Sequence, residues 1–259
     1  MKKIGLPVHE QLSDKGVYRS PSMSPPPAEE LDNVAQFELT TGCSYNSCGF
    51  CSMYEGQPFT VKSALEYMGH VKKFWQTLKT QPEGQQRLGK LERVFIGSGN
   101  ALAVDSKLLQ LAINYTIEQF EDNTGRLPRR IAMYGNTRDI LDKANTNLSK
   151  DVRDLRFLDC GGTCSGECSK DKFGDKIGLS LIYWGVESGS SDALRFATKG
   201  YDQEDLYRAA DLLRETDVNV SAMIINGLGG IRHSSSHIEG TLDFLNNSRP
   251  KFITFMGIK

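Results

Sequence analysis

Phe37-Glu38-Leu39-Thr40-Thr41-Gly42-Cys43-Ser44-Tyr45-Asn46-Ser47-Cys48-Gly49-Phe50-Cys51-Ser52-Met53-Tyr54 is the stretch from which the rest of the chain can be read. Its first residues, Phe37 to Thr41, alternate in polarity, the period of a strand with one buried face. Three cysteines spaced C-x4-C-x2-C follow at once. A loop this short wraps its thiolates round one metal centre, and thiolates bind iron or zinc well. Four cysteines would saturate a structural zinc or a simple iron–sulfur cluster. Three leave one metal position open, where a small molecule can bind the metal directly. Spacing alone keeps three readings side by side: an iron–sulfur site, a zinc site completed by a distant ligand, and reduced thiols packed as small hydrophobes.

The surrounding composition narrows the setting. A chain of 259 residues can bury a large core, and one α/β domain is the simplest count. With 39% hydrophobic and 24% charged residues it is globular rather than disordered. A formal net charge of −1 gives no general pull toward nucleic acid or an anionic membrane, although a local basic face is not excluded. No run approaches the ~18 apolar residues of a membrane span, so no membrane partner is expected. The start, Met1-Lys2-Lys3-Ile4-Gly5-Leu6-Pro7, has the charges of a signal peptide without its apolar segment. A cytoplasmic location is expected, and there six cysteines in two tight clusters read as metal ligands before disulfides.

Residues 1–32 are polar, with Pro21, Pro25, Pro26 and Pro27 among serines, and read as an extended Pro/Ser-rich arm. Residues 33–259 alternate strand and helix signals. Strands are expected at Phe37–Thr41, Arg93–Ile96, Arg130–Tyr134, Ile177–Val186, Val218–Ile225 and Phe252–Met256. Helical stripes run through Val61, Ala64, Leu65, Met68, Val71, Trp75 and Leu78, then through Leu109, Ala112, Ile113, Thr116, Ile117 and Phe120. Further helices are expected from Arg138 to about Leu148, along Leu206, Ala209, Ala210 and Leu213, and along Ile238, Leu242 and Leu245. This alternation implies a parallel sheet with helices outside it: a partial (β/α)6 TIM-like barrel. The chain stops at its sixth strand with no helix after it, so a barrel truncated there, a fragment of a longer protein, is the expectation.

In α/β barrels reactive groups lie on loops after the C-terminal ends of the strands. The unusual residues fall there repeatedly: the cysteine loop after strand one, Gly97 to Asn100 after strand two, and Tyr134-Gly135-Asn136 after strand three. Glu187 follows strand four, and Asn226 to Gly230 follow strand five. These groups are expected to face one another across one mouth.

The cysteine loop, with Phe50 before its last cysteine, resembles the cluster loop of the radical S-adenosylmethionine (SAM) superfamily. Members usually carry C-x3-C-x2-C. The longer first gap here is similar to a subgroup whose loop reads roughly C-S-[WY]-N-x-C-x-F-C-x-M-Y. The resemblance extends over roughly Asn33 to Met256. Gly185-Val186-Glu187-Ser188-Gly189-Ser190, with Lys199-Gly200 downstream, resembles the G-x-E-S-G-S…K-G pattern of branches holding the elongator-type acetyltransferase subunit, methylthiotransferases and oxygen-independent coproporphyrinogen oxidases.

The resemblance implies a radical SAM core over residues 33–259, with a [4Fe-4S] cluster on Cys43, Cys48 and Cys51. S-adenosyl-L-methionine would chelate the open iron and, after transfer of one electron, yield a 5′-deoxyadenosyl radical that abstracts hydrogen from a substrate. A one-electron donor such as flavodoxin or ferredoxin is implied with it. Gly97, Ser98, Gly99 and Asn100 take the place of the motif that holds the SAM amino group, without the acidic residue common at its end. Glu187 and Ser188 take the place of the ribose-binding residues, with Glu187 as acceptor. Asn226 and Gly227 lie in the segment whose backbone runs against adenine, and Phe50 would pack near the adenine or shield the cluster. Ile231 stands where many relatives have Glu. No catalytic side chain and no substrate can be named.

Blander readings accompany these. Gly97 to Asn100 can be a plain strand-to-helix turn, and Glu187 an acid at a helix N-terminus. His233 and His237 read as surface or capping residues, and Tyr134, Asn136 and Arg138 as polar contacts or structure. Two whole-chain alternatives belong to other classes: a zinc- or cluster-stapled binding module without catalysis, and a degenerate radical SAM-like subunit. A second run, Cys160, Cys164 and Cys168, sits in a Cys-rich insertion at about 157–175. It could hold an auxiliary iron–sulfur cluster with Asp159 or Glu167 as fourth ligand, a zinc, or no metal at all.

Overall fold

The computed structural model describes residues 11–12, 18–19, 25–145, 178–216 and 218–257. Six strands form one sheet: β1 (Val34–Glu38), β2 (Arg93–Gly97), β3 (Arg130–Gly135), β4 (Leu179–Glu187), β5 (Asn219–Asn226) and β6 (Phe252–Gly257). Every pairing is parallel and the spatial order follows the chain, β1 to β6. Within this sheet β1 pairs only with β2 and β6 only with β5, so it is open. This is the partial TIM-like barrel expected from the alternation of elements.

Successive side chains of the inner strands divide two cores between them. Ala35, Phe37, Val94, Ile96, Ile131, Met133, Ile182 and Trp184 join the large core under the helices. Val34, Phe95, Ala132, Leu181 and Tyr183 form a smaller cluster on the opposite face, with Tyr134 and Met223 against it.

The helices are α1 (Ala64–Thr80), α2 (Pro82–Leu88), α3 (Ser106–Thr124), α4 (Thr137–Asn145), α5 (Ser191–Phe196), α6 (Gln203–Arg214) and α7 (Ser234–Ser248). Helix α1 opens on a capping box between Ser63 and Glu66, and α6 on one between Asp202 and Asp205. Helix α3 buries the expected stripe. Short α2 and α5 carry no readable stripe, and their starts show only Pro82 at the first turn and Ser190 as a cap. Among the described residues no helix is long and apolar enough to cross a membrane.

Several expectations are corrected. Strand β1 starts earlier and ends at Glu38, where its register with β2 reaches Gly97. Thr40–Thr41 instead pairs antiparallel with Thr60–Val61, so Val61 belongs to this ribbon and not to α1. Helix α1 turns Tyr67, His70, Val71, Phe74, Trp75 and Leu78 inward, while Leu65 is 81% exposed. Helix α7 buries His237, Thr241 and Phe244, leaving Ile238 and Leu242 exposed. The end of the proline-rich arm is packed: Glu29 is fully buried, paired with Arg93 and Arg130, and accepts a 2.7 Å hydrogen bond from Tyr183 Oη. Residues 146–148 of the third expected helix lie outside the described residues, as does the insertion with Cys160, Cys164 and Cys168.

Candidate functional site

The two-residue ribbon that follows β1 carries the cysteine loop, residues 42–59, between its strands. Gly42 turns the chain into the loop at φ 71°, and a Cβ there would come within 2.7 Å of the Pro58 carbonyl oxygen. A Cβ on Gly99 would collide with the Gly42 carbonyl oxygen, so the turn after β2 seats directly on the residue before Cys43. Asn46 takes the left-handed conformation (φ 44°) and donates its side-chain amide to the Tyr54 carbonyl at 2.9 Å.

Three further ties fix the loop across the mouth. Gly49 N donates to the Ala197 carbonyl at 2.9 Å, Tyr45 Oη to the Thr198 carbonyl at 2.6 Å, and Asn100 Nδ2 to Ser44 Oγ at 2.8 Å. The Arg138 guanidinium lies 4.8 Å from the Tyr45 ring centroid and donates to the Gly200 carbonyl. Gly200 has little room for a side chain: φ is 71°, and a Cβ would stand 2.5 Å from Arg138 Nη2 and 2.6 Å from Tyr45 Oη.

Cys43, Cys48 and Cys51 are free thiols, the first two half-buried and the third exposed. Cys48 and Cys51 line an open cavity of about 470 Å³ with Asn46, Phe50 and Glu55. Among the described residues no group of three or more His, Cys, Asp or Glu side chains is gathered closely enough to hold a metal ion. Burial pushes the Cys48 thiol up; the Lys199 charge works against this, and Glu187, Cys43 and Cys51 add to it.

The end of β4 supplies the densest part of the mouth. Glu187 is buried with φ 63°, and its Oε1 lies 3.3 Å from Lys199 Nζ. Its Oε2 is buried without a hydrogen-bond partner. Burial raises the carboxyl pKa and Lys199 opposes it. For Lys199, burial pulls downward but Tyr201, Glu187 and Cys48 outweigh it and hold the ammonium protonated. The Lys199 ammonium also stands 5.5 Å from the Phe50 centroid and 5.4 Å from that of Tyr201. Gly185 leaves room for the Glu187 carboxylate, which a Cβ there would meet at 2.7 Å. Phe50 packs against Ala197, Ile225 and Leu228. Ser188 is fully buried, its Oγ 2.8 Å from His237 Nδ1. His237 is therefore no surface residue.

After β2, Ser98 is fully buried and its N–H donates to the Thr40 carbonyl at 2.9 Å. Buried Asn100 also donates to the Asp139 carboxylate, while its Oδ1 has no partner. Burial raises the Asp139 pKa. Asn226 and Gly227, at the end of β5, are exposed, and so is Ile231. Asn136 accepts from the Asp139 N–H in the first turn of α4, and Tyr134 packs with the inner cluster.

The cysteine loop, Gly97–Asn100 and Glu187–Ser188 thus converge, as expected from their places after strands. Motif reading left Lys199 without a role, although the K-G pair was its signal. The Tyr45–Gly200–Arg138 contact and the burial of His237 had no signal in the sequence, because each joins elements far apart in the chain.

No family model and no curated protein matches this chain. Among solved structures it is similar to the radical SAM methyltransferase TsrM from Kitasatospora setae with cobalamin and a [4Fe-4S] cluster bound: 16% identity, TM-score 0.56, 95% of this chain and 39% of that one. It is similar to the cobalamin-dependent SAM radical enzyme OxsB with aqua-cobalamin and SAM bound, at 14% identity and TM-score 0.54, over 81% of this chain and 26% of that one. Coproporphyrinogen III oxidase (HemN) from Escherichia coli, a radical SAM enzyme, matches at 11% identity and TM-score 0.52, over 87% and 44%. The chain spans less than half the length of each of these structures. At such identities the likeness is one of fold, and the fold of this chain is that of the radical SAM enzymes.

Proposed function

We propose that the chain is a cytoplasmic radical SAM enzyme, or the core of one. Cys43, Cys48 and Cys51 would hold a [4Fe-4S] cluster, and its open iron would take S-adenosyl-L-methionine. A bound, singly reduced cluster supplies cleavage of SAM to methionine and a 5′-deoxyadenosyl radical, the species that abstracts hydrogen from the substrate. The chemistry of the donors supports this, and the loop would have to draw its three thiols together to bind the cluster. Three thiols on one loop leave a position open, and two buried acceptors, Glu187 Oε2 and Asn100 Oδ1, stand at the same mouth without partners. That convergence carries the reading.

The chain's own groups then have separable tasks. The Lys199 ammonium would offset the negative charge of a Cys48 thiolate. Glu187 Oε2 accepts from a ribose hydroxyl while Oε1 keeps Lys199. Asn100 and the backbone of Gly97, Ser98 and Gly99 receive the amino group. The backbone of Asn226 and Gly227 would hold the adenine, and Phe50, packed on Ile225 and Leu228, would shield it from water. A flavodoxin- or ferredoxin-like carrier delivers the electron. Cys160, Cys164 and Cys168, outside the described residues, would hold an auxiliary cluster, a zinc or no metal at all.

Anaerobic reconstitution with iron and sulfide, followed by SAM and dithionite, tests the reading. About four irons per chain with 5′-deoxyadenosine formed is the expected result, and about eight would make the second cysteine run a cluster as well. Zinc in place of iron, or a cluster that never cleaves SAM, would move the chain to the binding-module or degenerate-subunit class. Cys43→Ala, Cys48→Ala and Cys51→Ala should each abolish iron binding at the first site. Unchanged iron content in any one of them would remove that residue from the ligand set.

A further inference from the structure

Glu187 occupies a backbone conformation that a residue with a Cβ avoids. Its φ is 63°, and the Ser188 N–H closes a tight turn round it onto the Val186 carbonyl at 2.7 Å. The ladder between β4 and β5 slips at the same place, between Gly185 and Glu187. Bulges of this kind re-aim a side chain, and something outside the strand has to hold such a turn.

One face of α7 makes those contacts. His237, Gly240 and Thr241 stand at i, i+3 and i+4, so they share a face. His237 Nδ1 lies 2.8 Å from Ser188 Oγ, which also accepts from the Ser190 N–H at 3.1 Å. Thr241 Oγ1 accepts from the Gly189 N–H at 3.0 Å. Between these bonds the two backbones touch: a Cβ on Gly240 would stand 2.9 Å from the Gly189 carbonyl oxygen, and one on Gly189 would collide with that of Gly240. The helix buries His237 and Thr241 at the turn and Phe244 in the core beyond it, while Ile238 and Leu242 remain exposed.

We infer that α7 is a positioning clamp for Glu187, in which His237 and Thr241 hold the Ser188-Gly189 turn so that the free carboxylate oxygen faces the SAM ribose. His237 and Thr241 are positioning residues that act through Glu187. The inference rests on the reading of Glu187 as the ribose acceptor given above.

The test measures SAM affinity by equilibrium dialysis on the reconstituted, unreduced full chain, where SAM is bound and not consumed. His237→Ala and Thr241→Val should each weaken binding about tenfold, the effect of losing one buried hydrogen bond, with iron content unchanged. His237→Asn, which can place a polar atom where Nδ1 stood, should restore most of the affinity. Added to Glu187→Gln, His237→Ala should weaken binding no further, because the clamp has only that carboxylate to position. Wild-type affinity in His237→Ala and Thr241→Val, or losses that multiply in the double variant, would overturn the clamp. If His237→Ala does not fold, Thr241→Val and its double with Glu187→Gln decide. If Glu187→Gln itself binds SAM as wild type does, or the wild type binds none, the ribose-acceptor reading fails first and the clamp falls with it.

Discussion

At Lys199 an ammonium group sits nearly out of reach of water, with Glu187 as its carboxylate partner and the rings of Phe50 and Tyr201 beside it. Breaking a buried pair from one side leaves an uncompensated charge. Lys199→Met should therefore lower stability by about 3–5 kcal/mol in chemical denaturation, and Lys199→Met with Glu187→Gln should recover most of it. At His237 burial holds the pKa below its ordinary 6.5. The folded chain then takes this proton less readily than the unfolded one, so stability rises with pH through this range. The contribution is complete above about 6.5 and is lost as pH falls toward the lowered value. His237→Asn should flatten that part of the profile, read as the change in urea midpoint between about pH 7 and pH 5. An equal change in both proteins would assign the acid sensitivity to other groups.

Elements obey their own rules where only packing is at stake. Helix α3 buries every residue of the apolar stripe read from its sequence, because that face meets only the core. In α7 the stripe is right at Leu245, which packs against the core, and wrong at Ile238 and Leu242, since the contact with the Ser188-Gly189 turn selects His237 and Thr241. At α1 the box joins the Ser63 and Glu66 side chains to each other's backbone N–H, one of them an otherwise unpaired donor of the first turn. Ser63→Ala should cost about 1 kcal/mol of unfolding free energy, and Ser63→Asp should retain most of it. For the turn after β2, Gly99→Ala sets a methyl group against the Gly42 carbonyl. The expected outcome is a displaced cysteine loop: reduced iron uptake on reconstitution with unchanged far-ultraviolet circular dichroism.

In the molecule as a whole the sheet has two free edges among the described residues, and β6 lies open along nearly its full length. Phe252, Ile253 and Phe255 are each exposed, an apolar edge of the kind that invites association. Light scattering should show mass rising with concentration, and Ile253→Lys combined with Phe255→Lys should suppress the rise. No change in the double variant would place any association elsewhere. On the inner face of the sheet, Glu29 draws in Arg93, Arg130 and Tyr183 and so ties the end of the arm to β2, β3 and β4.

The parallel order of strands, the cysteine loop and the alignment of motifs at strand ends were all legible in the residues. Each is a local pattern: period two in a strand, period near 3.6 in a helix, fixed spacing in a loop. The tertiary structure alone decided which groups meet. Tyr45 bonds to Thr198 across 153 positions of sequence, Asn100 to Ser44 across 56, and Ser188 to His237 across 49. Periodicity records that a face is buried, whereas the partner across it depends on how whole elements dock, and no local pattern carries that.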